Sequence, residues 1–461
     1  MSHADKFLKQ ADQKAFDLKH RDTIRFNMGR YNAAVSVGKQ IYSNNELARQ
    51  RASYIKTQAI ENLDKYLLEF ESNFTKNGGK VIWARDKKEA LDEIWKIFEA
   101  NKAKSVVKSK TMVSEEIGLN EFLEHKGVET VETDLGEYIV QLAGEKPYHI
   151  VTPAMHKSRQ DIAKLFTEKL KIPYTEDPQE LTLTARKLLR NKYLQAKIGI
   201  TGANFILPDI GGIAVTENEG NARMSTSFPK IQISIVGIEK MLTSFNDLDL
   251  FWPLLATSGT GQQVTVYNSI MTGPRKSNEI DGPEEMYVIL LDNGRTNLLA
   301  DPEKRQALNC IRCGACLNAC PVYKNIGGHT YNTAYSGPIG SVITPQMQGL
   351  DEFKHMSYSS SLCGACTSVC PVKIDIHNLL LLNRKQAVDE KLVPTSEKIA
   401  FGLWKNGVLK RSKLNFAPSG LKNIVIASLF RQSWGKRRGM MKAAPKSFNE
   451  LWQERREGGK K

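Results

Sequence analysis

Cysteine is absent from most of this sequence: all seven cysteines lie between Cys310 and Cys370, and none falls in the other 400 residues. The disulfides of a small secreted protein would be spread along the chain. The N-terminal stretch MSHADKFLKQADQKAFDLKH lacks the charged-then-apolar leader of a signal peptide. No apolar run approaches the roughly 18 residues of a membrane span. These absences predict a soluble, cytoplasmic protein whose thiols are reduced and free to hold metal.

The sequence also lacks the fingerprints of flavin and nicotinamide cofactors. No GxGxxG motif opens a predicted helix, and SGTGQ at residues 258–262 is too short to count as a phosphate-binding loop. No base-reading motif or interleaved aromatic residues accompany the basic residues, which disfavours nucleic acid as a partner. The chemistry of this chain is therefore expected where its cysteines are.

One cysteine run matches the complete bacterial ligand pattern of a [4Fe–4S] cluster. The stretch CIRCGACLNACPVY reads Cys310-x2-Cys313-x2-Cys316-x3-Cys320-Pro321. Three thiolates at this spacing can wrap a tight loop around one face of a cubane, while the fourth points away and ligates another cluster. The proline ends the turn, since it has no backbone N–H to donate.

A second run, SSSLCGACTSVCPVKIDIHNLL, is one cysteine short. It contains Cys363-x2-Cys366-x3-Cys370-Pro371, but Ser360 stands where the repeated spacing would place the first thiol. Because the fourth cysteine of each run is expected to ligate the cluster of the other run, the ligands cross. Cluster one is predicted to bind Cys310, Cys313, Cys316 and Cys370. Cluster two is predicted to bind Cys320, Cys363 and Cys366, with Ser360 as a candidate weak ligand.

Zinc is the main alternative to iron–sulfur, since paired Cys-x2-Cys spacings also suit tetrahedral zinc sites. Zinc sites seldom use four cysteines in one short run and do not need the Cys-Pro ending twice, so two [4Fe–4S] clusters are favoured. Three thiolates can hold a [3Fe–4S] core, or a [4Fe–4S] core whose fourth iron binds water, Ser360 or a partner's ligand. The second cluster is therefore predicted to be convertible to [3Fe–4S]. His355 is close enough in sequence to be considered, although a lone histidine is more often a hydrogen-bonding surface residue.

Alternating strand and helix patterns precede the cysteine runs. Apolar residues recur at helical spacing over residues 44–76, Gly78 and Gly79 stop that pattern, and Asp86 can cap the next helix. Such alternation predicts an α/β domain with a mainly parallel sheet. The predicted strands are KVIWA, SVVKS, HIVTP, GIAVT, IQISIVG, QVTVYNS and MYVILL.

The stretch GITGANFILPDIGGIAVTENEGNARMS is rich in glycine. It can be interpreted as a ligand-binding loop at strand ends, where open α/β sheets bind small molecules. It can also be interpreted as a series of tight turns, which is favoured because glycine mostly marks turns. Glu217, Glu219 and Asn221 are candidate site residues without an assigned role.

The cysteine-rich part is predicted to be helical. The 42 residues from 321 to 362 exceed what a small two-cluster ferredoxin needs for a hairpin, and the sequence after Pro371 has helical apolar spacing. The predicted fold is thus an N-terminal α/β domain followed by an α-helical ferredoxin domain. The predicted limits are 1–39 for an N-terminal helical arm, 40–295 for the α/β domain, 296–400 for the two-cluster domain and 401–461 for a basic tail.

The positive charge is concentrated in that tail. Residues 401–461 contain 15 Lys and Arg against 3 Glu, which is +12 of the total +15. The stretch GLKNIVIASLFRQSWGKRRG joins apolar residues to a basic end, and this pattern favours contact with an acidic partner or a membrane surface. A solvated basic tail is the alternative. The protein is accordingly predicted to be cytoplasmic, with peripheral contact at a membrane as an option.

These motifs resemble the lactate utilization protein B family. The resemblance is carried by TGANFILPDIGGIAVTENEGN, by CIRCGACLNACPVYKNIGGHTYNTAYSGPIGSV and by LCGACTSVCPVKIDIHNLL. It implies a LUD-type domain similar to sugar isomerases and CoA transferases, then a domain with two [4Fe–4S] clusters on the seven cysteines. The iron–sulfur subunit of succinate dehydrogenase is also similar, but its missing cysteine corresponds to Cys363 and not to Ser360.

The resemblance implies an iron–sulfur subunit that carries electrons during the oxidation of L-lactate to pyruvate. The expected partners are a cysteine-rich subunit of the heterodisulfide-reductase type and a second LUD-domain subunit. The alternative is an enzyme that binds substrate directly, at the Gly-rich loop or at the open iron of cluster two. An electron carrier is favoured, because lactate oxidation releases two electrons and the sequence shows no primary acceptor for them.

Overall fold

The structure is a computed structural model that describes residues 1–434 and 439–458. It divides into two compact units, Met1–Ala387 and Val388–Lys461. The first unit contains all of the strands found in the described residues and both cysteine runs.

Two sheets form the framework of the first unit. The strands are, in chain order, β1 (Lys80–Ala84), β2 (Ser105–Lys108), β3 (Glu129–Glu132), β4 (Ile198–Thr201), β5 (Phe205–Leu207), β6 (Gly212–Glu217), β7 (Ile231–Gly237), β8 (Tyr267–Met271) and β9 (Glu285–Leu291). The larger sheet has the order β1-β9-β7-β4-β2-β3, and all of its neighbouring strands are parallel. Every residue of β7 is buried, as expected of an internal strand of a sheet covered on both faces.

Helices cover both faces of this sheet. The α-helices before the cysteine runs are α1 (His3–Ala15), α2 (Leu18–Gly38), α3 (Asn45–Glu61), α4 (Leu63–Lys76), α5 (Lys87–Ala100), α6 (Met112–Ile117), α7 (Leu119–His125), α8 (Leu135–Leu142), α9 (Arg159–Leu170), α10 (Pro178–Gln195), α11 (Asn221–Ser227), α12 (Leu248–Gly259) and α13 (Arg295–Ala300). The helix predicted over 44–76 is two helices, because the backbone leaves the helical conformation at Asn62. The Asp86 cap is confirmed: its carboxylate accepts the backbone N–H of Glu89 at 2.9 Å.

Three features of the α/β region differ from the sequence prediction. HIVTP is a loop and not a strand, because the Nδ1 atom of His149 accepts the N–H groups of Val151 and Thr152 and closes a turn. The predicted strands GIAVT and QVTVYNS lie in a separate antiparallel sheet of order β5-β6-β8. Strands β3, β4 and β5, of three or four residues each, were not predicted. The prediction of a mainly parallel sheet is confirmed.

The cysteine-rich region is helical, as predicted, and no strand occurs in residues 296–387. Its α-helices are α14 (Ala315–Ala319), α15 (Tyr323–Ile326), α16 (Gly337–Gln348), α17 (Leu350–Tyr358), α18 (Ala365–Val369) and α19 (Ile376–Asp389). This region shares one hydrophobic core with the N-terminal helices, including Ile24, Met28 and Ile55. The helix α1 packs here through Phe7, whose ring lies 5.6 Å from that of Tyr331. The cysteine runs are therefore held by both the N-terminal arm and the α/β region.

The second unit consists of short helices with exposed apolar side chains. These helices are α20 (Thr395–Val408), α21 (Arg411–Asn415), α22 (Ser419–Trp434) and α23 (Phe448–Gly458). Phe401, Trp404 and Ile424 are each at least 61% exposed, so this unit presents apolar surface next to its basic residues. Among residues 1–434 and 439–458, no helix combines the length and apolar character needed to cross a membrane.

Candidate metal centres and the adjoining cavity

The two cysteine runs have the same backbone conformation. Arg312 and Leu362, which precede the CGAC motif in each run, have positive φ angles of 60° and 54°. Gly314 and Gly364 have φ angles of 80° and 76°, a conformation that glycine adopts without steric cost. Each loop then enters a helix of five residues, α14 or α18, that ends immediately before the last cysteine of the run. The repeated motif is thus a repeated structure.

The thiols of Cys310, Cys313, Cys316 and Cys370 line one small cavity. The other walls are mainly apolar and include Ile339, Val372 and Ile374. Burial raises the pKa of Cys370 to about 12, and the nearby thiol of Cys310 adds to the effect. Burial also raises the pKa of Cys316 well above its usual range, again with a contribution from Cys310. Four thiols from the two runs therefore converge in a place where an uncompensated thiolate is unfavourable and a metal-bound one is not.

The remaining three cysteines form a second group nearer the surface. Cys320 and Cys366 are buried, whereas Cys363 is exposed. Burial raises the pKa of Cys366 to about 11, with a further contribution from the Cys320 thiol. Burial raises the pKa of Cys320 as well, and Cys363 is close enough to add to that shift. The last cysteine of each run, Cys320 or Cys370, accordingly lies with the earlier cysteines of the other run.

Ser360 takes the position of the missing thiol in the second run. Its Oγ accepts the backbone N–H of Leu362 at 3.1 Å. At the equivalent place in the first run, the Sγ of Cys310 accepts the backbone N–H of Arg312 at 3.4 Å. His355 makes different contacts: its ring packs 5.3 Å from that of Phe7, and Nδ1 lies 3.2 Å from the carbonyl oxygen of Glu352.

The residues present fit two iron–sulfur clusters. Thiolates are the ligands that such clusters use, and hydrogen bonds to the sulfur atoms tune their potentials. The backbone N–H of Tyr323 donates to the Cys320 thiol, and that of Ile374 donates to the Cys370 thiol, both at 3.4 Å. The first group offers four thiols around an apolar cavity and the second offers three, and the Ser360 hydroxyl stands at the loop position of the second run where a thiol is missing. The assignment of these eight side chains as ligands is a proposal.

A larger cavity of about 350 Å³ adjoins the first group, and Cys313 lines both cavities. Much of its wall comes from the Gly-rich stretch, including Gly202, Asn204 and Asn221. Gly202 is needed for close packing, because a Cβ atom there would lie 2.6 Å from the Oγ1 of Thr111. The stretch therefore makes turns and also lines a cavity, so the interpretation as turns alone was incomplete.

The three candidate residues of the Gly-rich stretch all line this cavity. Glu217 accepts the backbone N–H groups of Ala222 and Arg223, at 2.6 and 2.9 Å, and so caps the start of α11. Glu219 accepts the backbone N–H of Leu135 at 2.9 Å. Burial raises the pKa of Glu219 to about 7, and the carboxylate of Asp134 adds to the effect. These two carboxylates thus support the wall of the cavity as well as facing it.

A buried network of charges connects the first cysteine run to the α/β region. Arg295 binds Glu116 through two hydrogen bonds of 3.0 and 2.8 Å and donates its Nε to Glu239 at 2.5 Å. The other carboxylate oxygen of Glu239 lies 3.3 Å from Nη2 of Arg312. Burial opposes the charge of Glu239, but Arg295 and Arg312 lower its pKa to about 2. Sequence reasoning missed this network, and its only local signal is an arginine inside a ligand run.

Comparisons with known proteins match both regions. The LUD domain family matches residues 67–291, and the 4Fe-4S dicluster domain family matches residues 306–374. "Lactate utilization protein B" of Bacillus subtilis (strain 168) is 44% identical over 384 residues, which is 82% of this chain and 79% of the relative. The protein of the same description from Geobacillus sp. (strain WCH70) is 42% identical, with coverage of 95% and 93%.

A third relative spans nearly the whole chain, and a solved structure is more distant. "Lactate utilization protein B" of Bacillus cytotoxicus is 40% identical, with 97% of this chain and 99% of the relative covered. A crystal structure of a DUF162 family protein from Deinococcus radiodurans is 12% identical, with a TM-score of 0.29 over 50% of this chain and 98% of the other. A likeness this low adds nothing to the assignment.

The fold and the cysteine groups define the class of protein. It is an iron–sulfur protein in which a LUD-type α/β domain is followed by a helical dicluster domain, and its cofactors are two [4Fe–4S] clusters. The identities extend over most of the chain and most of each relative. The chain belongs to the lactate utilization protein B family.

Proposed function

We propose that this chain is the iron–sulfur electron-transfer subunit of a system that oxidises L-lactate to pyruvate. The single observation that carries the proposal is the arrangement of the seven thiols in two neighbouring groups, each of which combines cysteines from both runs. When bound, the two clusters supply one-electron redox chemistry at neighbouring sites. The relatives described as lactate utilization protein B supply the metabolic context.

The surroundings of the two groups suggest where electrons enter or leave the protein. The first group is next to the large cavity, and its cysteines are buried except for the partly buried Cys310. The second group has an exposed member, Cys363, which an outside partner can approach. Tyr323 lies near both groups: its N–H donates to Cys320 of the second group, and burial raises the pKa of its hydroxyl with added contributions from the thiols of Cys316 and Cys320. We expect electrons to leave or enter through the Cys363 side.

Iron and sulfide analysis together with EPR of the anaerobically purified protein tests this proposal. The expected result is close to eight irons and eight sulfides per chain, with clusters that a partner reduces and reoxidises. L-lactate added to the protein alone is the decisive control. Bleaching of the clusters by L-lactate without any partner would contradict a carrier-only role.

The proposed partners are a cysteine-rich subunit of the heterodisulfide-reductase type and a second LUD-domain subunit. The helices of residues 388–434 and 439–458 support a docking role, since their basic charge and exposed apolar surface favour an acidic partner or an anionic membrane. We place the protein in the cytoplasm, with peripheral membrane contact through this tail. Pull-down of both subunits from cell extract at low salt, and their release at high salt, would support this assembly.

A second candidate function is direct binding of the substrate by this chain. The observation that favours it is the large cavity, which the Gly-rich stretch lines and which reaches Cys313. In this case the α/β domain presents the substrate to the first cluster, and the chain is more than a carrier. Ser360, the alternative location at the second cluster, lines neither this cavity nor the small cavity of the first cysteine group.

A further inference from the structure

A group of metal-binding side chains lies outside the cysteine runs, where the loop between α8 and α9 meets the residues that follow α15. Glu145 and His156 belong to the loop, and His329 belongs to the segment after α15. One oxygen of Glu145 and one ring nitrogen of each histidine lie within 4.8 Å of one another. All three residues are only partly buried, so an ion in solution can reach them.

Two glycines allow these two segments to come close together. A Cβ atom on Gly327 would overlap the hydroxyl of Tyr148, and one on Gly328 would overlap the carbonyl oxygen of Tyr148. Gly327 also has a φ angle of 73°, which glycine adopts without steric cost. The ring of Tyr148 contacts both histidines, with centroid distances of 4.7 Å to His156 and 5.1 Å to His329. The sequence after α15 therefore lets His329 approach the loop.

A hydrogen bond to the backbone orients the ring of His329. Its Nε2 lies 2.6 Å from the carbonyl oxygen of Lys146 and carries the proton of this bond, because a carbonyl only accepts. In the neutral ring this leaves the lone pair of Nδ1 for an ion. Metal-binding histidines commonly donate their other N–H to a backbone carbonyl in this way. Burial lowers the pKa of His329 and the nearby His156 adds to the effect, which favours the neutral ring that binds metal.

His156 and Glu145 offer the other two donor atoms. Nε2 of His156 lies 2.6 Å from one oxygen of Glu145, while its Nδ1 is buried without a hydrogen-bond partner among residues 1–434 and 439–458. Either nitrogen can therefore bind an ion, Nδ1 as it stands and Nε2 by loss of the proton shared with Glu145. The second oxygen of Glu145 accepts from the Lys157 ammonium at 2.7 Å, so the carboxylate offers an ion one oxygen. The hydrogen bond from His156 lowers the pKa of Glu145 to about 2, and Lys157 adds to the effect.

We propose that Glu145, His156 and His329 bind one zinc ion, which ties the loop of the α/β region to the dicluster region. Two imidazole nitrogens and one carboxylate oxygen are a ligand set that zinc uses where a fourth position stays open. Ferrous iron uses the same set, but sites of this kind bind zinc more tightly. Mg²⁺ and Ca²⁺ are disfavoured because they take oxygen ligands. The competing explanation is a metal-free contact made of hydrogen bonds and the ion pair between Glu145 and Lys157.

Zinc loading of the cluster-replete full chain under anaerobic conditions tests the proposal. After unbound zinc is removed, elemental analysis should find about one zinc per chain with unchanged iron, and an equal concentration of Fe²⁺ should not displace it. X-ray absorption at the zinc edge should show nitrogen and oxygen ligands at about 2.0–2.2 Å and no sulfur at about 2.3 Å. Absence of bound zinc, a sulfur ligand, or replacement of zinc by Fe²⁺ would each overturn the proposal.

His156→Gln and His329→Gln each remove one ligand, and His20→Gln is the matched control. The buried ring of His20 also contacts Tyr148, at 5.8 Å between centroids, but it is not one of the three ligands. Each ligand variant should weaken zinc binding at least about 100-fold, because loss of an outer-shell partner alone costs about 10- to 100-fold. Zinc should raise the unfolding temperature of the wild type and of His20→Gln but not of the ligand variants. Full zinc binding by both ligand variants would overturn the proposal, and the zinc-edge spectrum of the wild type decides it if a variant does not fold.

Discussion

The hydroxyl of Ser360 occupies the same place in its loop as the thiol of Cys310 does in the other cysteine loop. Each accepts the backbone N–H of the residue two positions later, at 3.1 Å for Ser360 and 3.4 Å for Cys310. The surrounding backbone is also equivalent, with a positive φ angle at that later residue in both loops. Replacing sulfur by oxygen has therefore kept the loop geometry while removing a strong ligand for iron.

This relationship predicts that the second cluster is labile at its Ser360 corner. Air or ferricyanide should convert it from [4Fe–4S] to [3Fe–4S], and ferrous iron with a reductant should restore it. The oxidised three-iron form should give a new EPR signal that the untreated protein lacks. A second cluster that keeps four irons through this oxidation would show that no iron is open.

Two substitutions at Ser360 separate the explanations. Ser360→Cys should suppress the conversion and lower the cluster potential, because a thiolate completes the ligand set and adds negative charge. Ser360→Ala should increase the lability if the serine oxygen binds iron. Unchanged lability in Ser360→Ala would assign the fourth position to water or a partner. Quantitative EPR of the oxidised wild type and of both variants measures how much of the second cluster has become [3Fe–4S].

The crossed arrangement predicts that Cys370→Ser damages the cluster of the first run. The Cys370 thiol lines the cavity of Cys310, Cys313 and Cys316, although it belongs to the second run in sequence. The matched control is Cys363→Ser, which should damage only the second cluster. EPR and iron analysis of both variants check this. Loss of only the second cluster in Cys370→Ser would refute the crossed ligand assignment.

The buried charge network predicts a large stability effect at Arg295. Arg295→Met leaves the carboxylates of Glu116 and Glu239 buried without their main cation, which should lower the free energy of unfolding by about 3–5 kcal/mol. Lys88→Met, which removes an exposed ion pair with Asp92, is the control and should change it by less than about 1 kcal/mol. Denaturant titration of the cluster-loaded proteins gives both values, and similar effects in the two variants would contradict the prediction.

The burial of His20 predicts that the protein loses stability in mild acid. Burial lowers the pKa of this histidine to about 4, while its Nε2 lies 2.9 Å from the Tyr148 hydroxyl. The unfolded chain, with the ordinary pKa of about 6.5, therefore binds more protons between pH 6.5 and 4, so stability falls as the pH falls through this window. The loss from His20 should reach about 1.4 kcal/mol between pH 7.5 and 5.5.

His20→Gln removes this titration and keeps a hydrogen-bonding group near Tyr148. Between pH 7.5 and 5.5, the free energy of unfolding of His20→Gln should therefore decrease less than that of the wild type. The difference between the two decreases should be about 1.4 kcal/mol. His125 lies at the exposed end of α7, and His125→Gln serves as the control that should keep the wild-type pH dependence. Identical pH profiles for the wild type and His20→Gln would exclude His20 as the titrating group.

The basic tail predicts a role in association and not in cluster assembly. A chain that ends before Gly420 loses no cysteine, so both clusters should assemble normally. It should bind the companion subunits or anionic vesicles more weakly than the full chain does. Added salt should also weaken the binding of the full chain, because it screens charge. Sedimentation with vesicles and pull-down of the subunits measure these effects. Unchanged binding in both assays would favour a solvated tail.

The sequence by itself determined the class of chemistry and much of the local structure. The spacing of the cysteines predicts two clusters, and the dicluster domain match confirms them. The strands IQISIVG and MYVILL and the helix α19 follow from periodicity alone, because burial on one or both faces leaves a pattern in neighbouring residues. The LUD-type fold and the family also followed from motifs within single stretches.

Only the tertiary structure decided what those stretches build together. Lys240, Arg312 and the Gly-rich stretch meet at one cavity although they are far apart in the chain, and Arg295 joins carboxylates that lie 179 and 56 residues away. HIVTP has the composition of a strand, but the turn at His149 makes it a loop beside the cysteines. The physical reason is that periodicity reports how a segment is buried, whereas charge pairing and cavities depend on which distant segments the fold brings into contact.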